Sequence, residues 1–347
     1  MKWRPLGICV LVALLIGGAW ALASKRPSAV PASGPTNAAQ TGVVNAPTFE
    51  RRSAAETTFD GLWDSSFGRM RLSVDGSSVT GSYASVRGSK IVGTIDGDRL
   101  EFTYKEPESR GEGWFEMSED CASLSGKWRA AGTQGWRGWS ATRVRAPSDR
   151  VWLVILEAHW EGSLAEREYS FGEMLRSYFS MPSAQHVAVR QRMFHDEDDF
   201  RRFAAEVPFL PGPVVVLVST HGTPEGIAVS GTTIGPDVIA ESLSGASNIE
   251  LLHLSGCSMM SGPAPRRIIE QTPVGQRFPV SGYSTVVAWD ASALADFIYL
   301  TFLLVHRLEP SDAVRQAHRA GPFTARDNVP GSSFEALGLD VLVPSDL

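Results

Sequence analysis

The hydrophobic pattern changes period near residue 149, and that change constrains the fold more than any other feature. Beyond it lie apolar runs of strand length, Val151–Leu156, Pro213–Val218 and Ile249–Leu254. Such runs mark strands covered on both faces. Shorter candidates are His186–Val189 and Thr285–Trp289. Helical stretches separate them: Phe171–Tyr178, Asp196 to about Glu206, Pro236–Leu243, Ala293–Val305, and Ser311–Arg319 with Ser311 as a cap. The acids Asp196, Glu197, Asp198 and Asp199 oppose the positive end of a helix dipole, which is a structural role. Strands alternating with helices indicate an α/β layer fold with a mostly parallel sheet over residues 149–347.

Residues 56–145 read differently. Short alternating runs such as Arg69–Val74 and Arg99–Tyr104 are separated by Asp75-Gly76 and Asp96-Gly97, the strongest short hairpin signal. Gly followed two residues later by an aromatic or aliphatic side chain recurs at Gly61-Leu62-Trp63, Gly81-Ser82-Tyr83 and Gly126-Lys127-Trp128. This predicts a small antiparallel β domain, a meander or barrel, with Trp63, Tyr83 and Trp128 on one face. Most of these aromatics fill a core. The Trp136-Arg137-Gly138-Trp139 cluster reads as exposed and is the candidate platform for a glycan or protein ligand.

Lys2 and Arg4 precede an apolar run ending in Ala21-Leu22-Ala23, so residues 1–23 read as a secretory signal cut before Ser24. The chain is then exported, periplasmic or extracellular. An uncleaved anchor over residues 5–23 is the alternative, and only that reading involves a membrane. Residues 24–55 are rich in Ala, Pro, Ser and Thr and read as a flexible linker. A net charge of −6 and the lack of any basic run exclude nucleic acid as a partner. Of three cysteines, Cys9 leaves with the signal, and Cys121 and Cys257 fall in different segments. A bond between those two would block any thiol chemistry.

Two consecutive buried strands run into reactive residues: Ser219-Thr220-His221-Gly222 after one, Ser255-Gly256-Cys257-Ser258 after the next. In a parallel sheet the carboxyl ends of the strands form the ligand crevice, and neighbours lie about 4.8 Å apart. A thiol needs a base to become the thiolate nucleophile, and an imidazole at the adjacent strand end supplies it. Gly222 and Gly256 let a substrate backbone approach, and the N–H groups of Gly222 and Cys257 are placed to stabilise an oxyanion. Glu157, ending the first strand, and Asp290, ending the fifth, are candidate pocket acids that would select a basic side chain. The other histidines show no metal-ligand spacing, so no metal or cofactor is expected. His253 alternates with Leu252 and Leu254 and faces a helix layer.

The strand leading into His221-Gly222 and the strand leading into Leu254-Ser255-Gly256-Cys257-Ser258 resemble the paired motifs of the caspase-like cysteine peptidases, the group of caspases, gingipains, separases and CHAT domains. The resemblance covers about residues 150–320. It implies a three-layer sandwich, His221 as base, Cys257 as nucleophile, and a protein or peptide as substrate. The expected function is an exported cysteine endopeptidase with a β accessory domain. No motif fixes an acid to orient His221. A catalytically inactive envelope scaffold is therefore one alternative, and a β domain that binds a ligand is another.

Overall fold

In the computed structural model, residues 59–145, 150–159, 170–229, 231–320 and 337–347 are described. The signal and linker expected over residues 1–55 lie outside them. Among the described residues, no helix is long and apolar enough to cross a membrane.

Eight strands close into an antiparallel barrel: β1 (Gly61–Ser65), β2 (Gly68–Asp75), β3 (Ser78–Tyr83), β4 (Lys90–Asp96), β5 (Arg99–Lys105), β6 (Arg110–Met117), β7 (Ser123–Ala130) and β8 (Arg137–Arg143). Each pairs with the next, and β1 pairs with β8, which leaves no edge. The two Asp-Gly steps make the β2–β3 and β4–β5 turns, with Gly76 and Gly97 at positive φ. Alternation places Trp63, Tyr83, Phe102, Phe115 and Trp139 inside, and Trp128 partly buried beside them. Glycines on facing strands make room for these rings. A Cβ on Gly113 would lie 2.5 Å from Phe102 Cζ, and one on Gly126 would lie 1.9 Å from the Trp114 carbonyl oxygen.

The second part holds a six-stranded sheet. Its strands are β9 (Val151–Ala158), β10 (Val187–Phe194), β11 (Val214–Ser219), β15 (Ile249–Ser255), β16 (Val280–Tyr283) and β17 (Leu339–Leu342), in the order β10-β9-β11-β15-β16-β17. The first five are parallel, and β17 runs antiparallel to β16. A small antiparallel sheet follows β11: β12 (His221–Thr223), β13 (Gly226–Val229) and β14 (Thr232–Ile234). Helices cover both faces of the large sheet. α1 (Phe171–Phe179), α5 (Trp289–Leu300) and α6 (Pro310–Arg319) pack on one side, against Leu153, Ile155 and Leu217. α2 (Glu197–Ala204), α3 (Pro236–Ser242) and α4 (Ala264–Gln271) pack on the other, against Val154, Val216 and Leu252. The result is a mixed α/β layer arrangement preceded by an antiparallel barrel. Asp196 caps α2 by accepting from the Asp199 N–H at 2.9 Å, so the acidic run has the structural role expected.

Three local expectations change. The fifth strand is Val280–Tyr283 rather than Thr285–Trp289; residues 284–288 leave the sheet, and Trp289 opens α5. The short strand carries Ser281 and Gly282, which weaken its apolar signal. Gly282 is needed there, since a Cβ would lie 2.6 Å from the Leu254 carbonyl oxygen. The last helix starts at Pro310, so Ser311 lies inside it rather than at its cap. Trp139 lies in the barrel core at 3% exposure, whereas Trp136 is 42% exposed. The pair therefore cannot form one surface platform.

Barrel and sheet belong to one compact unit, residues 47–347. Arg71 on β2 joins them, donating through Nε to the Pro208 carbonyl at 2.7 Å and through Nη2 to the Leu210 carbonyl at 2.9 Å. Arg69 adds a bond to the Phe209 carbonyl at 2.9 Å. Burial lowers the pKa of Arg71 to about 10, and Asp60 partly offsets that shift.

Candidate active site

Register sets the geometry. Ser219 of β11 pairs with Ser255 of β15, so His221 and Cys257 each lie two residues past equivalent strand ends. The crossing is tight. The Thr220 N–H donates to the Ser255 carbonyl at 3.1 Å. A Cβ on Gly222 would lie 2.5 Å from the Cys257 carbonyl oxygen. One on Gly256 would lie 2.8 Å from the Thr220 carbonyl oxygen and 3.2 Å from the Gly222 nitrogen. Both glycines are therefore required for the two chain segments to touch. The need comes from backbone meeting backbone within the protein, a closer constraint than room for a substrate.

His221 is exposed and starts β12, opposite Ala228. Cys257 is half-buried, and its thiol donates to the Val287 carbonyl at 3.5 Å. Cys121 and Cys257 are both free thiols. Ser258 adopts φ 56°, a left-handed conformation costly for a residue with a Cβ. Its N–H is held by the Thr285 carbonyl at 2.8 Å, and the Met260 N–H by the Tyr283 carbonyl at 2.9 Å. The segment after β16 thus lies along the cysteine loop, and Val286 within it is 71% exposed.

The two candidate pocket acids part company. Asp290 is exposed in the first turn of α5, three residues beyond the carbonyl that holds the thiol, and caps the Ala291 N–H at 2.9 Å. Glu157 is buried at 1% exposure. Its carboxylate accepts from the Phe171 N–H at 2.6 Å, the Gly172 N–H at 3.2 Å, Ser170 Oγ at 2.9 Å and Gln191 Nε2 at 2.7 Å. It satisfies the unpaired N–H groups at the start of α1. Glu157 is a helix anchor and does not line a substrate pocket.

A second cluster lies beneath the cysteine loop. His253 Nε2 is 2.7 Å from Asp296 Oδ1, and Nδ1 is 2.8 Å from Ser281 Oγ. Ser255 Oγ donates to Asp296 Oδ2 at 2.5 Å, and the Tyr283 hydroxyl donates to Asp296 Oδ1. The Tyr299 hydroxyl donates to Ser281 Oγ at 3.3 Å. His253, Asp296 and Ser281 have no exposed surface. A carboxylate only accepts, so Nε2 of His253 carries the proton toward it. Burial, then the charge of Asp296, raises the Tyr283 pKa well above its usual range; burial also raises that of Tyr299. Sequence reading placed His253 against a helix layer but missed its partner. One signal was available, a lone acid within the apolar stretch Ala293–Leu300.

Among the described residues, no three His, Cys, Asp or Glu side chains gather as metal ligands. The barrel carries a shallow outer groove of 680 Å³, lined by Thr94, Glu101, Glu112, Trp114, Lys127 and Trp136. Arg99 lies 4.4 Å from the Trp114 ring centre and Arg129 lies 4.6 Å from that of Trp136.

No protein-family model matches the chain, and no curated protein matches it. Among solved structures, caspase-1 from Spodoptera frugiperda is similar over 58% of this chain and 88% of its own, at 10% identity and a TM-score of 0.39.

Proposed function

We propose that the chain is a cysteine peptidase of caspase-like architecture with Cys257 as nucleophile and His221 as base. The observation that supports this most directly is the backbone contact between the two loops, which only Gly222 and Gly256 permit. In this reading His221 takes the thiol proton, and the thiolate attacks a peptide carbonyl. The N–H groups of Gly222 and Cys257 stabilise the oxyanion. Collapse expels the amine, which leaves with the proton from His221, and water then hydrolyses the thioester. Asp290 is the acid that favours a basic residue before the scissile bond.

The test compares the two thiols of the purified protein and then assays a peptide library. Iodoacetamide should label Cys257 at least about tenfold faster than Cys121 at neutral pH, and His221→Ala should remove the excess. Cys257→Ala should abolish turnover. A Cys257 no faster than Cys121, with turnover surviving in Cys257→Ala, would end this reading. A reactive Cys257 with no turnover on any peptide would favour the inactive scaffold.

The groove on the barrel supports a second activity, binding of a neutral glycan. Two indoles flank carboxylates and hydroxyls there, and the cations Arg99 and Lys127 balance the carboxylates Glu101 and Glu112 in its lining. Titration with chitohexaose or cellohexaose should quench tryptophan fluorescence, and Trp136→Ala should weaken binding about tenfold while leaving stability within about 0.5 kcal/mol. No quenching at millimolar sugar would dismiss it.

A further inference from the structure

Both flanks of the cysteine loop end on one buried carboxylate. Upstream, Ser255 is two residues before Cys257, and its hydroxyl donates to Asp296 Oδ2 at 2.5 Å. The same residue's carbonyl holds the Thr220 N–H at 3.1 Å, next to His221. Downstream, the Met260 N–H is held by the Tyr283 carbonyl at 2.9 Å, and the Tyr283 hydroxyl donates to Asp296 Oδ1. That hydroxyl also lies 3.0 Å from the Ser292 carbonyl of α5. Asp296 thus ties together the end of β15, the end of β16 and helix α5. Between these ties the chain makes its left-handed step at Ser258 and presents Cys257.

We infer that Asp296 is a positioning residue for the cysteine loop, acting through Ser255 on one side and Tyr283 on the other. It touches neither the thiol nor His221, so it is not a catalytic residue. A buried carboxylate is stable only with its lone pairs filled, and three donors from two strands fill them here: Ser255, Tyr283 and His253. Any shift of the loop pulls a donor away from a group that has no water to replace it. The cost of that loss holds the loop in one place. The role of the loop in catalysis rests on the peptidase reading; its fixation by Asp296 does not.

The network has a near arm and a far arm, and this makes the inference testable. Ser255 reaches the loop directly. By hydrogen bonds, the Tyr299 hydroxyl is linked to Asp296 through Ser281 and His253, two side chains further from the loop. Ser255→Ala and Tyr299→Phe each remove one buried hydroxyl. Amide hydrogen exchange over residues 256–260 of the full protein then reads loop position. Ser255→Ala should speed exchange there about tenfold and slow iodoacetamide labelling of Cys257 by a similar factor, while Tyr299→Phe changes either by less than about twofold. Ser255→Thr, which keeps the hydroxyl, should restore both. Asp296→Leu, close in size, removes both acceptor oxygens and should loosen the loop at least as much as Ser255→Ala; if it fails to fold, Ser255→Ala still decides. Unchanged loop exchange in Ser255→Ala, or equal effects from both arms, would overturn the inference. A fast-exchanging loop in Ser255→Ala, with a wild-type Cys257 no faster than Cys121 and turnover surviving in Cys257→Ala, would instead overturn the peptidase reading alone.

Discussion

Glycine does different work in the barrel and at the His221–Cys257 crossing, although the steric rule is the same. In the barrel, Gly93, Gly111, Gly113 and Gly126 face aromatic or aliphatic side chains and neighbouring carbonyls, and the missing Cβ is room for core packing. At the crossing, Gly222 faces the Cys257 carbonyl and the Met259 side chain, Gly256 faces loop backbone, and the missing Cβ lets two strand ends touch. The first use sets how stable the domain is. The second sets where His221 and Cys257 lie. A barrel glycine should therefore fail in stability, and a crossing glycine in site geometry.

The largest effect that separates the two is expected from Gly126→Ala. Its Cβ would meet the Trp114 carbonyl oxygen at 1.9 Å and Phe115 Cδ1 at 2.8 Å, so the strand must move. Denaturant unfolding should show a loss of about 3 kcal/mol, the upper end for overpacking. Gly256→Ala meets Thr220 O at 2.8 Å, a smaller overlap, and should cost about 1 kcal/mol. Yet it should remove the excess iodoacetamide reactivity of Cys257, which Gly126→Ala should spare while the protein remains folded. If Gly256→Ala leaves that reactivity intact, the contrast between the two uses is wrong.

A smaller effect compares the polar groups of the two regions in alkali. The barrel's Tyr83 is held above the ordinary tyrosine value near 10 by burial and by its hydrogen bond to Glu106. Tyr283 and Tyr299 in the sheet region are held above it by burial, with Asp296 adding to the shift. An acid kept protonated by the fold binds more protons folded than unfolded above pH 10, so stability falls as pH rises past that value. Arg71 has the opposite sign. Its folded pKa is lowered to about 10 from 12.5, so the unfolded chain binds the extra proton in that window and stability gains with pH. Three tyrosines outweigh one arginine, and the net slope is negative. Tyr299→Phe should flatten it by up to about 1.4 kcal/mol per pH unit, read from denaturation midpoints above pH 10 beside the tyrosinate absorbance. An unchanged slope would mean that Tyr299 titrates normally in the fold.

Much of the architecture was legible because it is periodic. Val151–Leu156 and Pro213–Val218 announced buried strands, and the Asp-Gly steps announced barrel turns, because each pattern is a local property of a few residues. The places of His221 and Cys257 at neighbouring strand ends were legible for the same reason, since each follows a strand that could be recognised alone. Trp139 was misread because the start of β8 was not evident: Trp136 precedes the strand and is exposed, whereas Trp139 lies within it and faces the core. The strand Val280–Tyr283 was displaced toward Thr285–Trp289 because Ser281 and Gly282, required by contacts with β15, dilute its apolar signal. Glu157 looked available because a strand-end acid is indistinguishable, in sequence, from one bonded to a helix start elsewhere in the chain.

The sequence by itself determined the two-part organisation, the strand ends that carry His221 and Cys257, and the glycines beside them. The tertiary structure alone decided that Asp296 serves His253, Ser255 and Tyr283 rather than His221, that Glu157 anchors α1, and that Trp139 points inward. The physical reason is range. Periodicity and turn chemistry are set by neighbours along the chain. The partner of a buried charge is set by which elements pack together, here a strand and a helix 41 residues apart at Ser255 and Asp296.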